Sequence, residues 1–236
     1  MRTLSALILF VFFSGYSFGQ GEGEVKYTPD FRFRDGIYVN FDQVRQNSPI
    51  PKAKIVTSAD YNARDFFVQI FENDRIYYYD GLGIRQELEI ESIWGYSRNG
   101  ILYIQLQGNF HRITYVGMLA HFVADITTYD RRNYGSPYNY YSPYSSPYSY
   151  NSYNNPYYYS PYSPSTISRS ELVQYIVDFE TGNRLEYNVN NVEISIMKDP
   201  ELHMEFISLP RKKKKQMMFL FLRRYNENNP LYLPNN

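Results

Sequence analysis

Residues 133–164 contain no charged and no aliphatic side chain, and they limit what the rest of the chain can fold into. This segment, the Tyr-rich tract, consists of twelve Tyr, eight Ser, six Pro, five Asn and one Gly. A proline every few residues removes backbone donors and excludes helices and central strands. Without aliphatic side chains, the tract cannot bury enough surface to offset an ordering cost of about 1–2 kcal/mol per residue. The sequence therefore predicts a disordered, partly polyproline-II insert between a strand-rich block at 20–132 and a shorter block at 165–236.

The first nineteen residues have the pattern of a secretory signal peptide. Arg2 precedes an apolar run at 4–13, and small residues at Ser17 and Gly19 predict cleavage between Gly19 and Gln20. The alternative, a membrane anchor, needs about 20 apolar residues, so we expect no transmembrane span in the mature chain. The chain has no cysteine, which excludes a lipid-modified cysteine anchor and any disulfide. An exported protein without cysteine is typical of a bacterial envelope, so we expect it in the periplasm, on the outer surface or in the medium.

Charge and motifs exclude several function classes. The formal net charge is zero, and loss of Arg2 makes it −1, which argues against general nucleic-acid binding. No glycine-rich phosphate loop follows a predicted strand. Ser97 does not lie in a Gly-x-Ser-x-Gly pattern, and the absence of cysteine excludes thiol catalysis. The sequence predicts no cofactor.

Turn signals at short intervals predict an antiparallel meander or partial barrel before the tract. Asn99-Gly100 is the strongest hairpin signal, and Gln107-Gly108 marks the next turn. Asn40 is predicted to N-cap a short helix, with Gln43 three residues later. The predicted strands are 37–40, 66–72, 75–79, 86–90, 93–97, 101–105, 110–116 and 119–127, with 66–72 and 75–79 forming a hairpin across Asn73-Asp74.

The block after the tract predicts a hairpin followed by short helices. Strands at 172–179 and 184–187 flank a Gly-containing turn, and we expect this hairpin to join the N-terminal sheet because an isolated hairpin is marginal in water. Asn190 with Glu193 predicts one helix start, and Asp199-Pro200 predicts another. A last helix is predicted at 211–226. The predicted fold is therefore α+β and β-dominated, with short C-terminal helices, and the two blocks pack as one domain.

Several segments resemble uncharacterised exported proteins of Gram-negative bacteria that carry domains of unknown function. The segments that carry the resemblance are 35–41, 47–49, 92–96, Asn99-Gly100, Tyr103-Ile104, 110–113, Gly117, 121–124 and 225–231. The resemblance implies export and a β-rich fold, and it implies no activity, cofactor or catalytic residue.

Two sets of titratable side chains are candidates for chemistry. His121 and Asp125 would share one face of a strand and His111 could lie on the neighbouring strand, as a metal or acid–base cluster or as ordinary half-exposed residues. Glu87, Glu89 and Glu91 form a carboxylate row for Ca²⁺ or a sugar, or simply a solvated strand face.

Aromatic and basic residues are candidates for binding. A platform for a glycan or a peptide could be formed by Trp94 and the strand tyrosines Tyr77, Tyr79, Tyr96, Tyr103 and Tyr115, or these residues could pack in the core. Tyr144 and Tyr148 belong to the tract, which is either a multivalent contact surface or a tolerated insertion.

Residues 212–215 are four lysines, followed by an apolar run at 217–222. This pattern fits an anionic membrane surface or, as we favour, a solvated helix start followed by core residues.

Taken together, the sequence predicts an exported, non-enzymatic binding or structural module of the bacterial envelope, whose partner is a protein or a glycan. The alternatives are an envelope hydrolase that uses carboxylates or histidines, and a membrane-surface protein.

Overall fold

The computed structural model describes residues 23–131 and 166–234, with side chains described for all of these except 128–131 and 166–169. The predicted leader with its cleavage site at Gly19 and Gln20, and the tract with Tyr144 and Tyr148, lie outside the described residues.

The described residues form twelve strands, five α-helices and two short 3-10 helices at Lys52–Lys54 and Ile90–Ser92. The strands are β1 (Glu24–Lys26), β2 (Gly36–Tyr38), β3 (Ile55–Val56), β4 (Arg75–Tyr79), β5 (Arg85–Glu89), β6 (Gly95–Arg98), β7 (Ile101–Leu106), β8 (Asn109–Tyr115), β9 (Leu119–Arg131), β10 (Thr166–Asp178), β11 (Arg184–Glu186) and β12 (Tyr232–Pro234). The helices are α1 (Phe41–Arg45), α2 (Phe66–Phe71), α3 (Val189–Ser195), α4 (Pro200–Ser208) and α5 (Arg211–Asn228).

One seven-stranded antiparallel sheet, in the order β11-β10-β9-β8-β7-β6-β2, forms the centre of the molecule. A three-stranded sheet (β3-β4-β5) and a two-stranded sheet (β1-β12) accompany it. The strands on either side of the tract are neighbours, because β9 and β10 pair over thirteen residues, from Thr166 opposite Arg131 to Asp178 opposite Leu119. The predicted β-dominated α+β class is confirmed, and the hairpin after the tract joins the sheet as expected.

The central sheet is strongly curled. A flat sheet would hold β11 and β7, four strand spacings apart, about 19 Å from each other. Instead, Nη1 of Arg184 on β11 donates a hydrogen bond to the carbonyl oxygen of Gln105 on β7 at 2.7 Å. The sheet therefore curves around one of its faces, which we call the inner face, while the edge strands β2 and β11 are not paired with each other.

Three hydrophobic clusters cover the two faces. The inner face packs its side chains, such as Leu102, Ile104 and Phe122, against Val44 of α1 and Leu233 of β12. On the outer face, Leu119 and Ile176 pack under the C-terminal helices. The other half of the outer face, around Ile37 and Tyr96, is covered by α2 and the three-stranded sheet.

Local signals in the sequence place several turns and caps correctly. Asn99 (φ 53°) and Gly100 (φ 74°) form the hairpin turn between β6 and β7, since both adopt the left-handed conformation such a turn requires. The Asp199 carboxylate accepts a hydrogen bond from the backbone N–H of Leu202 at 3.0 Å and caps α4. Asn40 caps α1 in the same way through the Gln43 N–H at 2.9 Å.

Two local predictions were wrong. Residues 66–72 do not form a strand, because Phe66, Phe67 and Ile70 follow a helical spacing and bury one side of α2. β4 therefore pairs with β5 and β3 instead. The cap of α3 is Asn188 and not Asn190, because the Asn188 side chain accepts from the Asn191 N–H at 3.0 Å.

Candidate functional site

A group of aromatic and polar side chains lies on the inner face between β6 and β11, and we call it the inner-face site. Five of the seven strands contribute a residue to it, and the residue directly before β6 contributes a sixth side chain. Its members are Trp94, Leu106 of β7, His111 of β8, Phe122 of β9, Tyr175 of β10 and Arg184 of β11. Strand register puts these positions on one face, since His111 is opposite Ile104, Ile113 opposite Phe122, and Phe122 opposite Tyr175.

Arg184 is the cation of this site. Its guanidinium carbon lies 5.6 Å from the centre of the Trp94 ring, a cation–π distance. Burial lowers the pKa of Arg184, yet a guanidinium remains protonated at neutral pH. Beyond the bond to Gln105, its other N–H groups have no hydrogen-bond partner among the described side chains and backbone.

Trp94 carries an unsatisfied donor. The side chain is 7% exposed, its ring centre is 5.7 Å from that of Phe41, and its backbone N–H donates to the Tyr38 carbonyl at 3.0 Å. The indole Nε1 is fully buried and has no acceptor among the described residues. A buried donor without a partner is costly, about 1–3 kcal/mol, and calls for a specific explanation.

His111 carries a second unsatisfied nitrogen. Its Nε2 is buried without a partner among the described residues, and its ring centre lies 6.3 Å from that of Phe122. Burial lowers the pKa of His111. A hydrogen bond with the Leu106 backbone and the negative charge of Asp125 raise this pKa, but by less than burial lowers it. The imidazole is therefore neutral at pH 7.

The part of the site on β9 and β10 is aromatic. The Tyr175 ring stacks on Phe122 with 5.2 Å between centres and 18° between planes. Glu186 pairs with Tyr175 across the strands and is exposed. Burial and, secondarily, the Glu186 carboxylate raise the pKa of the Tyr175 hydroxyl, so this hydroxyl stays protonated.

His121 lies on the opposite face of the sheet from His111. It is opposite Ile176, which packs under the helices, and a bulge between Ile113 and Tyr115 aligns it with Tyr115. The ring is satisfied on both sides, with Nδ1 3.3 Å from Thr114 Oγ1 and Nε2 3.1 Å from Gln174 Oε1. Burial lowers its pKa, and the Gln174 bond partly opposes that.

The predicted acid–base set is spread over three surfaces. Asp125 is on the outer face, where Ser170 donates to it. Glu87 and Glu89 lie on the separate three-stranded sheet, within 2.5 Å and 3.8 Å of Arg75, and Glu91 is exposed beside them. The structure thus does not bring an acid–base pair together from these residues.

The predicted aromatic platform is also divided. Tyr96 and Tyr103 stack on the outer face, 4.7 Å apart and nearly parallel, and burial raises the pKa of Tyr96 to about 12. Tyr77 lies under the Arg85 guanidinium at 4.1 Å, and Tyr79 is exposed. Tyr115 packs under the C-terminal helices, so only Trp94 of the predicted platform belongs to the inner-face site.

Arg184, Tyr175 and Phe122 were missed as site residues. The sequence carries only an indirect signal for them. This signal is the alternation of side chains along the strands, which places Arg184 opposite Val177 on a buried face. Their meeting with Trp94 depends on the curl of the sheet.

The described residues contain neither a candidate metal cluster nor a membrane-spanning helix. No group of three or more His, Cys, Asp or Glu side chains among them could hold a metal ion. Within the same ranges, no helix combines the length and apolar character needed to cross a bilayer.

Comparison of the chain with family models, with curated proteins and with solved structures finds no match. The resemblance to exported Gram-negative proteins therefore stays a prediction.

Proposed function

We propose that this protein is an exported, non-enzymatic binding module of the bacterial envelope, and that the inner-face site holds its ligand. The leader pattern and the absence of cysteine support the export part of the proposal. The observation that carries the binding part is the pair of buried, unpartnered nitrogens, Trp94 Nε1 and His111 Nε2, on one curled face. A ligand that bonds to them would remove their desolvation penalty.

The chemistry of the site favours a ring-bearing ligand with acceptor groups. The Trp94 indole and the free N–H groups of Arg184 are donors, so they fit hydroxyl or carboxylate oxygens. The half-buried ring of Tyr175, which stacks on the fully buried Phe122, offers an apolar face against which a sugar ring packs. An acidic glycan fragment of the envelope satisfies both requirements.

The single tryptophan of the chain allows a direct test, because only Trp94 contributes indole fluorescence. Soluble disaccharide–peptide fragments of peptidoglycan, which combine sugar rings with carboxylates, are titrated into the purified protein. We expect a saturable change in Trp94 emission, and a tenfold or greater loss of affinity in Arg184→Gln, since a charge-assisted hydrogen bond contributes about 1.5–3 kcal/mol.

Arg85→Gln is the matched control, because Arg85 also stacks on an aromatic ring but lies on the three-stranded sheet. Its affinity should equal that of the unmodified protein. Emission that does not change with the fragments, or equal binding by Arg184→Gln, contradicts the proposal. Circular dichroism confirms that each variant is folded before titration.

A further inference from the structure

The first residues of α5 carry positive charge where a helix tolerates it least. Residues 211–215, which we call the basic turn, are one arginine and four lysines, and the first turn has no acidic residue. Pro210 precedes the helix and provides no side-chain cap. The N-terminus of a helix already has a partial positive charge, so cations there oppose helix formation.

Among the described residues, only one of these five charges is neutralised by an ion pair. Lys214 is half-buried, and its Nζ lies 2.8 Å from the Glu193 carboxylate and 5.3 Å from the Phe206 ring. Arg211, Lys212, Lys213 and Lys215 are exposed and have no ion pair among the described residues. Four cations therefore lie at a position where they oppose the helix dipole and form no ion pair with a described residue.

Apolar side chains are exposed directly beyond the basic turn. The apolar run at 217–222 was expected to be core, but only part of it is buried: Phe219 is 44% exposed and Leu220 45% exposed. Phe219 touches the rings of Tyr115 and His121 at 5.5 and 6.0 Å between centres, so its inner edge is anchored while its outer edge faces solvent.

Helical spacing aligns these residues. Lys212, Lys215, Phe219 and Arg223 recur every three or four positions, and therefore lie along one side of α5. All four are exposed, and we call this side the docking face. Leu220 and Lys213 border it. On the neighbouring helix α4, Met204 is 63% exposed and Ile207 38% exposed.

We propose that the docking face of α5 binds the surface of an anionic lipid bilayer. Basic residues are attracted to anionic headgroups, and an adjacent Phe or Leu inserts at the boundary between headgroups and acyl chains. A soluble polyanion would be attracted by the lysines alone and would leave Phe219 and Leu220 unused. Headgroup phosphates also compensate the charge that opposes the helix N-terminus.

The test is vesicle flotation with protein that begins at Gln20, which retains every described element and removes the apolar run at 4–13. Phosphatidylcholine vesicles with and without phosphatidylglycerol are compared. We expect flotation only with the anionic vesicles, and its loss at high salt. Replacement of Lys212, Lys213 and Lys215 by Ser should weaken binding about 100-fold, because each basic residue near the surface contributes about fivefold.

A control variant removes three exposed cations elsewhere, Lys26, Lys54 and Arg64, and should float like the unmodified protein. The lysine variant should also melt at the same or a higher temperature, because the three charges that it lacks oppose the helix dipole. A loss of binding would therefore not reflect unfolding. Phe219→Ser should weaken flotation severalfold without changing its salt dependence.

Three outcomes overturn the proposal. In the first, the lysine variant floats as well as the control variant. In the second, the unmodified protein floats equally well with neutral and anionic vesicles, and in the third it floats with neither. Unchanged flotation of Phe219→Ser together with competition by heparin would assign the lysines to a soluble polyanion instead. The proposal does not depend on the inner-face site.

Discussion

Gly95 lies where β7 leaves no space for a side chain on β6. A Cβ built on Gly95 would stand 2.1 Å from the carbonyl oxygen of Tyr103 on β7, a backbone atom that cannot move without shifting the strand. This position therefore requires glycine for space rather than for backbone freedom. It also precedes Tyr96 and follows Trp94, whose side chains go to opposite faces of the sheet.

Gly95→Ala should lower the free energy of unfolding by about 1–3 kcal/mol, the usual cost of overpacking. Gly81→Ala is the matched control, because a Cβ there has nothing within 4 Å. That variant should be neutral or slightly stabilising, since alanine restricts the unfolded chain. Urea midpoints measure both, and an equal effect of the two substitutions would contradict the close approach of β6 and β7.

His121 makes the stability depend on pH. Burial lowers its pKa in the folded protein below the ordinary value of 6.5, so the unfolded chain binds a proton more readily. The contribution of His121 to stability is therefore fully present above the pKa that this residue has in the unfolded chain. It is lost as the pH falls below that pKa, by up to about 1.4 kcal/mol per pH unit for one histidine. His111 acts in the same direction.

Urea unfolding at several pH values between about 7 and 5 tests this, since most carboxylates remain ionised there. His121→Gln keeps a hydrogen-bonding side chain between Thr114 and Gln174 and does not titrate. The decline in stability with falling pH should be shallower in this variant. The same slope in both proteins would mean that His121 binds its proton equally well in the folded state.

At the scale of elements, short polar side chains decide where the helices begin. Asn40, Asn188 and Asp199 each accept a backbone N–H at the first turn of a helix. The sequence identified two of these caps and missed the third, because Asn188 and Asn190 both precede plausible helical residues. Only the geometry of the chain after β11 places Asn188, and not Asn190, at the N-cap position.

Asn188→Ala should cost about 1 kcal/mol of stability, the typical value of a lost N-cap. Asn190→Ala should change stability by less than about 0.5 kcal/mol, because Asn190 is exposed inside α3. Thermal unfolding of the two variants side by side gives the comparison. A larger effect at Asn190 would instead support the start of α3 that was predicted from the sequence.

At the scale of the whole molecule, the β9–β10 ladder holds the two parts of the chain together. Thirteen residue pairs join these strands, and the Tyr-rich tract connects their ends. Elements from both parts of the chain pack on this sheet. On the inner face β12 pairs with β1, and on the outer face α5 lies over β9. Within the described residues, this ladder therefore joins the parts of the chain that precede and follow the tract.

Replacement of residues 133–164 by a short Gly/Ser linker should change the free energy of unfolding by no more than about 1 kcal/mol, since loop-closure entropy varies slowly with length. A scan of thermal unfolding measures this. Loss of cooperative folding in the shortened protein would show that the tyrosines of the tract pack in the core.

Much of the local structure was predictable from neighbouring residues. Asn99-Gly100 and Asp199-Pro200 specify a turn and a helix start because backbone sterics and side-chain capping act over a few residues. Residues 66–71 were misread because aromatic and β-branched side chains favour strands, whereas burial of Phe66, Phe67 and Ile70 against the outer face favours a helix.

The sequence alone determined the strand-rich class and most of the turns, since these depend on local sterics and composition. Tertiary structure decided which residues meet. One bulge and the alternation of strands put His111 and His121 on opposite faces, and the curl of the sheet brought Arg184 to Trp94. Such contacts join residues up to ninety positions apart, and they are fixed by the burial of the whole sheet rather than by any short segment.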